Sequence, residues 1–223
     1  MKINIQFIEA DNDFSKGVKV LIGKIIREDS AKVAKILPFE TKVFTFTVYP
    51  WKRKGAHGFA QATDWVRIML NPKELDFKKG IKQKILDRLA YLVYHEMHHA
   101  SRGYVGFLPE GKNHMLINSV LSEGLADVFA QECAPNVYDS EKLASKDRQI
   151  ENWICRMDKI KWRKMSAYYS WAYGGEGKPA LLGYKMGRYI ILALKKKHPE
   201  WDAVKLVRTD AKKILKLSGV KFR

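Results

Sequence analysis

Tyr91-Leu92-Val93-Tyr94-His95-Glu96-Met97-His98-His99 is the stretch from which the rest of the chain is read. It contains His-Glu-x-x-His, with His95 and His99 four residues apart. On a helix of 3.6 residues per turn, a four-residue step returns to nearly the same face. Two imidazoles so placed can grip one metal ion, and Glu96 between them can reach a water on that ion. Upstream, Ile81, Ile85, Leu89 and Leu92 fall along one line of the same predicted helix, Gly80 to Ser101. Glu96 and His99 prolong that line, and His95 lies on its flank. A core-facing stripe that turns polar needs partners for its polar groups, and a metal supplies them. His98 projects to another side, near the polar stripe of Lys84 and Asp87, and reads as a non-ligand.

The third ligand is sought downstream, on a helix predicted from about Met115 to Glu132. Leu116 and Val120 mark its inward stripe, and Glu123 and Asp127 flank that stripe four residues apart. Two carboxylates on an apolar face are unusual unless something pairs with them. Glu123 lies 24 residues after His99 (123 minus 99), room for a turn and a returning helix. An oxygen ligand there completes His₂Glu with one open position, the arrangement of catalytic zinc. Asp127, one turn on, is placed to accept a hydrogen bond from the far nitrogen of a ligating histidine and so fix its tautomer. Zinc in such a site lowers the pKa of a water and polarises the scissile carbonyl. Glu96 takes the water proton and later delivers it to the leaving amine. The oxyanion needs a further donor. Tyr184 is the candidate: it sits between glycines that allow close approach and follows the glycine-rich loop Gly174 to Pro179. Arg188 and His114 are weaker candidates, and the competing reading of Tyr184 is simple packing at a helix start.

Around this pair of helices the chain reads as scaffold. Lys2 to Ile8 is a short strand, and Phe14 to Leu37 a helix ended by Pro38. Val43 to Tyr49 is a strand rich in aromatic and β-branched residues, closed by Pro50. Trp51 to Gly58 reads as a basic loop in which His57 is solvated, and Trp65 to Leu70 as another strand. An exposed edge of such a sheet can bind an extended peptide through backbone hydrogen bonds. Gly103 to Asn113 is a turn, and Ser140 to Met157 a helix. Lys161 to Ser170 is basic and aromatic. Pro179 is expected to start a helix reaching about Lys197, and Trp201 to Leu217 to form one last amphipathic helix. Without repeat, low-complexity tract or clear linker, residues 1–223 are expected to form a single domain.

With 46% hydrophobic and 12% aromatic residues, 223 residues can bury a sizeable core. Cys133 and Cys155 are no disulfide framework and read as small buried residues of a protein in a reducing compartment. No apolar leader or run of membrane-spanning length is read, so the expected location is cytoplasmic. The formal charge of +17 permits attraction to nucleic acid, anionic membrane or acidic protein without choosing among them. No zinc-finger, RNA-recognition or Walker spacing accompanies it.

His95-Glu96-x-x-His99 followed by Glu123-x-x-x-Asp127 resembles the gluzincin pattern of thermolysin-type peptidases. The segments His95 to His99 with Met97-His98 between, Ser122 to Asp127, Gly174 to Pro179 and Gly183-Tyr184-Lys185-Met186-Gly187 more closely resemble the YjaZ-like family of predicted zinc-dependent proteases. The likeness runs from about Phe59 to the C-terminus and departs from the family pattern over Lys178 to Leu182. It implies an α+β, zincin-like fold, mostly helical, with a small mixed β-sheet beside the two metal helices. It also implies Zn²⁺ held by His95, His99 and Glu123, with Glu96 as general base. The expected function is therefore a zinc metallopeptidase acting on a peptide or protein substrate. The alternatives are a basic-surface metalloprotease recruited to nucleic acid and a non-catalytic zinc-binding interaction module.

Overall fold

A computed structural model describes residues 1–9, 12–75, 81, 83–105, 115–134, 147–162 and 168–221. Its contacts divide into two compact units, Met1–Gly106 with Phe129–Tyr138, and Phe107–Val128 with Asp139–Arg223. The fold class is α+β, with a four-stranded mixed sheet.

The first unit is built on that sheet. Strands β1 (Lys2–Phe7), β2 (Val43–Pro50), β3 (Ala56–Ala62) and β4 (Trp65–Leu70) lie in the order β1-β2-β4-β3. β1, β2 and β4 are parallel, whereas β3 returns antiparallel on β4. Side chains alternate across a strand, so Phe44, Phe46 and Val48 share one face with Val66, Ile68 and Leu70, and all six are fully buried. Each such side chain contributes roughly 1.5–3 kcal/mol when taken from water. Two helices pack on the sheet, α1 (Lys16–Ile36) against β1 and α2 (Gln83–Arg102) against β3 and β4. α1 starts where Ser15 Oγ accepts the Val18 N–H, and it buries Val18, Ile22, Ile26 and Val33 at near four-residue spacing.

His57 corrects the sequence reading of this region. The expected solvated loop Trp51 to Gly58 ends early, and His57 lies within β3, paired with Met69. Ala-His-Gly-Phe-Ala-Gln-Ala carries little strand signal because its small residues answer to packing. A Cβ built on Gly58 would stand 2.6 Å from Glu96 Cγ of α2.

The second unit is helical. α3 (Leu116–Cys133) contributes its residues up to Val128 to this unit, which also holds α4 (Asp147–Met157), α5 (Tyr168–Tyr173), α6 (Leu182–Lys197), α7 (Ala203–Val207) and α8 (Ala211–Ser218). Its core joins Ile117, Val120 and Leu121 to Ile154 and Met157 of α4 and to Met186, Ile190 and Leu194 of α6. α3 and α6 meet backbone to backbone. A Cβ on Gly187 would come within 2.0 Å of the Val120 carbonyl oxygen, and one on Gly124 within 2.2 Å of Gly187. A glycine inside a helix costs about 0.5–1 kcal/mol against alanine, which this close crossing requires.

Two further expectations change here. The single helix from Trp201 to Leu217 is instead α7 and α8, because Asp202 and Asp210 each accept the N–H three residues on and start a new helix. Pro179 does not open α6: the Gly175–Lys178 bridge and a left-handed Leu181 (φ 55°) delay its start to Leu182. The glycines around Tyr184 serve helix packing, Gly183 against Ala172 of α5 and Gly187 against α3. Gly80, most of the turn Gly103 to Asn113, His114, the stretch 140–146 and much of Lys161 to Ser170 lie outside the described residues. No helix among the described residues is long and apolar enough to cross a membrane.

Candidate metal centre

α2 is amphipathic at first and then buried all round: every residue from Tyr91 to Ser101 is buried. A helix surrounded on all sides puts polar side chains in the interior whatever their face. His98, read as lying on a polar stripe, is therefore 1% exposed and packs its ring 5.5 Å from that of Phe129. Burial, then the neighbouring charges of His99, Arg102 and His95, hold its imidazole well below the ordinary range.

On the other side of α2, His95 and His99 present their Nε2 atoms to each other at 3.1 Å. Both side chains are buried, as is Glu123 of α3. One ligand atom from each of His95, His99 and Glu123 falls within 4.8 Å of the others. Two nitrogens bound to one tetrahedral zinc at about 2.0–2.1 Å stand about 3.3 Å apart. The donor set thus fits a zinc ion, with two imidazoles and one carboxylate facing a common point. His98 is not part of this group.

What surrounds the ligands was only partly anticipated. Tyr91 Oη lies 3.4 Å from His95 Nδ1, and the two rings stack at 5.6 Å. In the tautomer with its proton on Nδ1, facing Tyr91 Oη, His95 Nε2 would carry the lone pair a metal needs. Tyr91 stands one turn before His95 on the same face, a spacing legible in the sequence but not singled out. Tyr104 closes the other end: its ring sits 5.4 Å from that of His99, and its N–H donates to the His99 carbonyl at 3.0 Å.

Glu96 is buried and held by the sheet. Its Oε2 accepts the Ala60 N–H at 2.9 Å, and its side chain passes over Gly58. Among the described residues β3 is the last strand in the sheet order, so the carboxylate meets an edge strand. Neither Gly58 nor Ala60 carried a sequence signal, since the contact joins residues 36 positions apart.

Asp127, expected as a brace for a histidine, is 1% exposed and forms an ion pair with Arg188 of α6, Nη1 to Oδ2 3.0 Å. Arg188, named above as an oxyanion candidate, is thus engaged by a carboxylate. Tyr184 is the third residue of α6, half-buried, with its ring 6.1 Å from that of Tyr173.

Residues 22–216 match the model of a family described as predicted Zn-dependent protease (DUF2268). That match spans most of the chain, and the chain belongs to this family. No curated protein and no solved structure matches it.

Proposed function

We propose, with membership of the predicted Zn-dependent protease family as the premise, that this chain is a zinc metallopeptidase of gluzincin type, akin to the YjaZ-like proteases and zincin-like in fold. The family description makes a hydrolase of peptide or protein substrates the natural class. The observation that carries the reading is the buried group His95, His99 and Glu123 beside a carboxylate, Glu96, on the same turn of α2.

When bound, zinc supplies Lewis acidity, bringing the pKa of a water toward neutrality and polarising a carbonyl. His95, His99 and Glu123 are its ligands in this reading, and Tyr91 fixes the His95 tautomer. Glu96 is the general base. Burial keeps bulk water from its carboxylate, and the Ala60 N–H orients the group, which takes a proton from water and returns it to the leaving amine. The outer side of β3, the edge strand among the described residues, receives the substrate as an added strand, which delivers the scissile bond to Glu96. Tyr184 donates to the oxyanion, and Asp127 steadies α3, which carries Glu123, through its buried pairing with Arg188. A non-catalytic module would need a closed site of four protein ligands. The group His95, His99 and Glu123 supplies three, so a metal bound there with water as its fourth ligand would support the catalytic reading.

The test is metal analysis of the purified chain alongside cleavage of a peptide library. The expected result is about one zinc per chain, hydrolysis lost on chelation, and recovery on adding zinc back. Zinc-independent cleavage, or a zinc-loaded chain that cleaves nothing in the library, would overturn the reading.

A further inference from the structure

The face of the sheet turned away from α1 and α2 has a composition that the peptidase reading does not use. The strand register places side chains on it in rows: Asn4, Thr45 and Trp65; then Gln6, Thr47, Arg67 and Phe59; then Tyr49, Met69 and His57. Lys2 extends the first strand on the same side. None of these residues is a carboxylate, in a chain with 24 of them. Three are aromatic, and Lys2 and Arg67 are cationic. Tyr49, Phe59, Trp65 and Arg67 are partly exposed and His57 is exposed, whereas Thr47 is covered by its larger neighbours.

The side chains are also fixed in place. The Trp65 indole N–H donates to Thr47 Oγ1 at 3.0 Å. The Arg67 guanidinium lies over the Tyr49 ring, 5.1 Å from its centroid, and at the end of the sheet Arg53 lies over Trp51 at 5.8 Å. Arg67 Nε is buried and, among the described residues, has no hydrogen-bond partner. Rings held on a flat lattice between cations offer stacking surfaces and phosphate contacts together.

We infer that this face binds single-stranded nucleic acid. The rings of Trp65 and Phe59 take unstacked bases, Tyr49 holds the Arg67 guanidinium over its ring, and Arg67, Lys2 and Arg53 take the phosphates. The occupant is chosen by the pairing of the two features. An acidic protein would use the cations but not the rings, and a duplex presents phosphates while its base faces stay stacked. The net charge of +17 attracts the strand to the chain, and the sheet face gives it a seat. The inference does not rest on His95, Glu96 and His99, whose helix α2 packs on the opposite face of the sheet.

The experiment is fluorescence anisotropy of a fluorescein-labelled oligothymidylate of about twelve nucleotides with the full chain. Binding is expected to weaken with rising salt, and to weaken about tenfold in Trp65→Ala and again in Tyr49→Ala. Trp65→Phe, which keeps a ring, should bind nearly as wild type. Met69→Glu, which adds a carboxylate to the face at a partly exposed position, should weaken binding without depending on removal of an aromatic side chain. Thermal melting of each variant checks that the fold is kept. Glu96→Gln should bind the oligonucleotide as wild type, which separates this inference from the peptidase reading. Equal affinity of wild type and well-folded Trp65→Ala or Met69→Glu would overturn it. So would equal affinity for the duplex or for heparin, or a face that instead takes anionic vesicles or a second copy of the chain.

Discussion

Tyr91 illustrates how the site is tuned one residue at a time. Its hydroxyl lies 3.4 Å from His95 Nδ1, and outer partners of ligating histidines typically raise metal affinity 10–100-fold. Tyr91→Phe is therefore expected to weaken zinc binding by about that factor in a chelator competition, with the fold unchanged. Arg188 gives a contrasting case. It places a cation against a carboxylate that is 1% exposed, so Arg188→Ala should destabilise the fold by about 3 kcal/mol, the low end for breaking a buried pair because Arg188 itself is one-fifth exposed. Chemical denaturation measures this directly. Tyr94 provides a pH signature. Burial, then the Asp29 carboxylate and its hydrogen bond with Tyr94 Oη, push its phenol above the usual value of 10.0. A group whose pKa is higher when folded holds its proton more tightly in the native state, so its stabilisation is complete below the unfolded pKa and lost above it. Stability should fall as pH rises past about 10, and Tyr94→Phe should show a shallower fall.

At the scale of elements, two glycines separate stability from activity. A Cβ at Gly187 would meet the backbone of α3, which cannot yield without moving the helix, whereas a Cβ at Gly58 would meet the side chain of Glu96. Gly187→Ala is expected to lower the melting temperature strongly, with an overpacking cost of about 1–3 kcal/mol or more. Gly58→Ala should leave melting nearly unchanged and reduce peptide hydrolysis, since it displaces the carboxylate from Ala60. Similar losses of stability in both variants would contradict this division. The same elements explain what could be read without coordinates. β2 and β4 are legible because aromatic and β-branched residues alternate in them, and α2 and α3 because apolar residues recur at helical spacing. β3 is not, because its small residues reflect the approach of α2 rather than a strand pattern. The break between α7 and α8 hung on one residue, Asp210, whose capping role competes with an uninterrupted apolar stripe.

At the scale of the whole chain, the grouping of His95, His99 and Glu123 was legible because each half of it is a local helical pattern. The surroundings of Glu96 and the partner of Asp127 were not, because they depend on contacts 36 and 61 positions apart in the chain. α3 supplies residues to both compact units, so the chain is expected to unfold in one cooperative step, with circular dichroism and tryptophan fluorescence giving coincident curves. Two separated transitions would divide the chain into independent domains instead. The central claim, that this is a peptidase whose base is Glu96, is tested most directly by comparing wild type and Glu96→Gln at matched zinc content on one peptide library. The account predicts equal zinc binding and a loss of about 10²–10⁴-fold in turnover for the variant. A variant that binds zinc and cleaves as fast as wild type would contradict it.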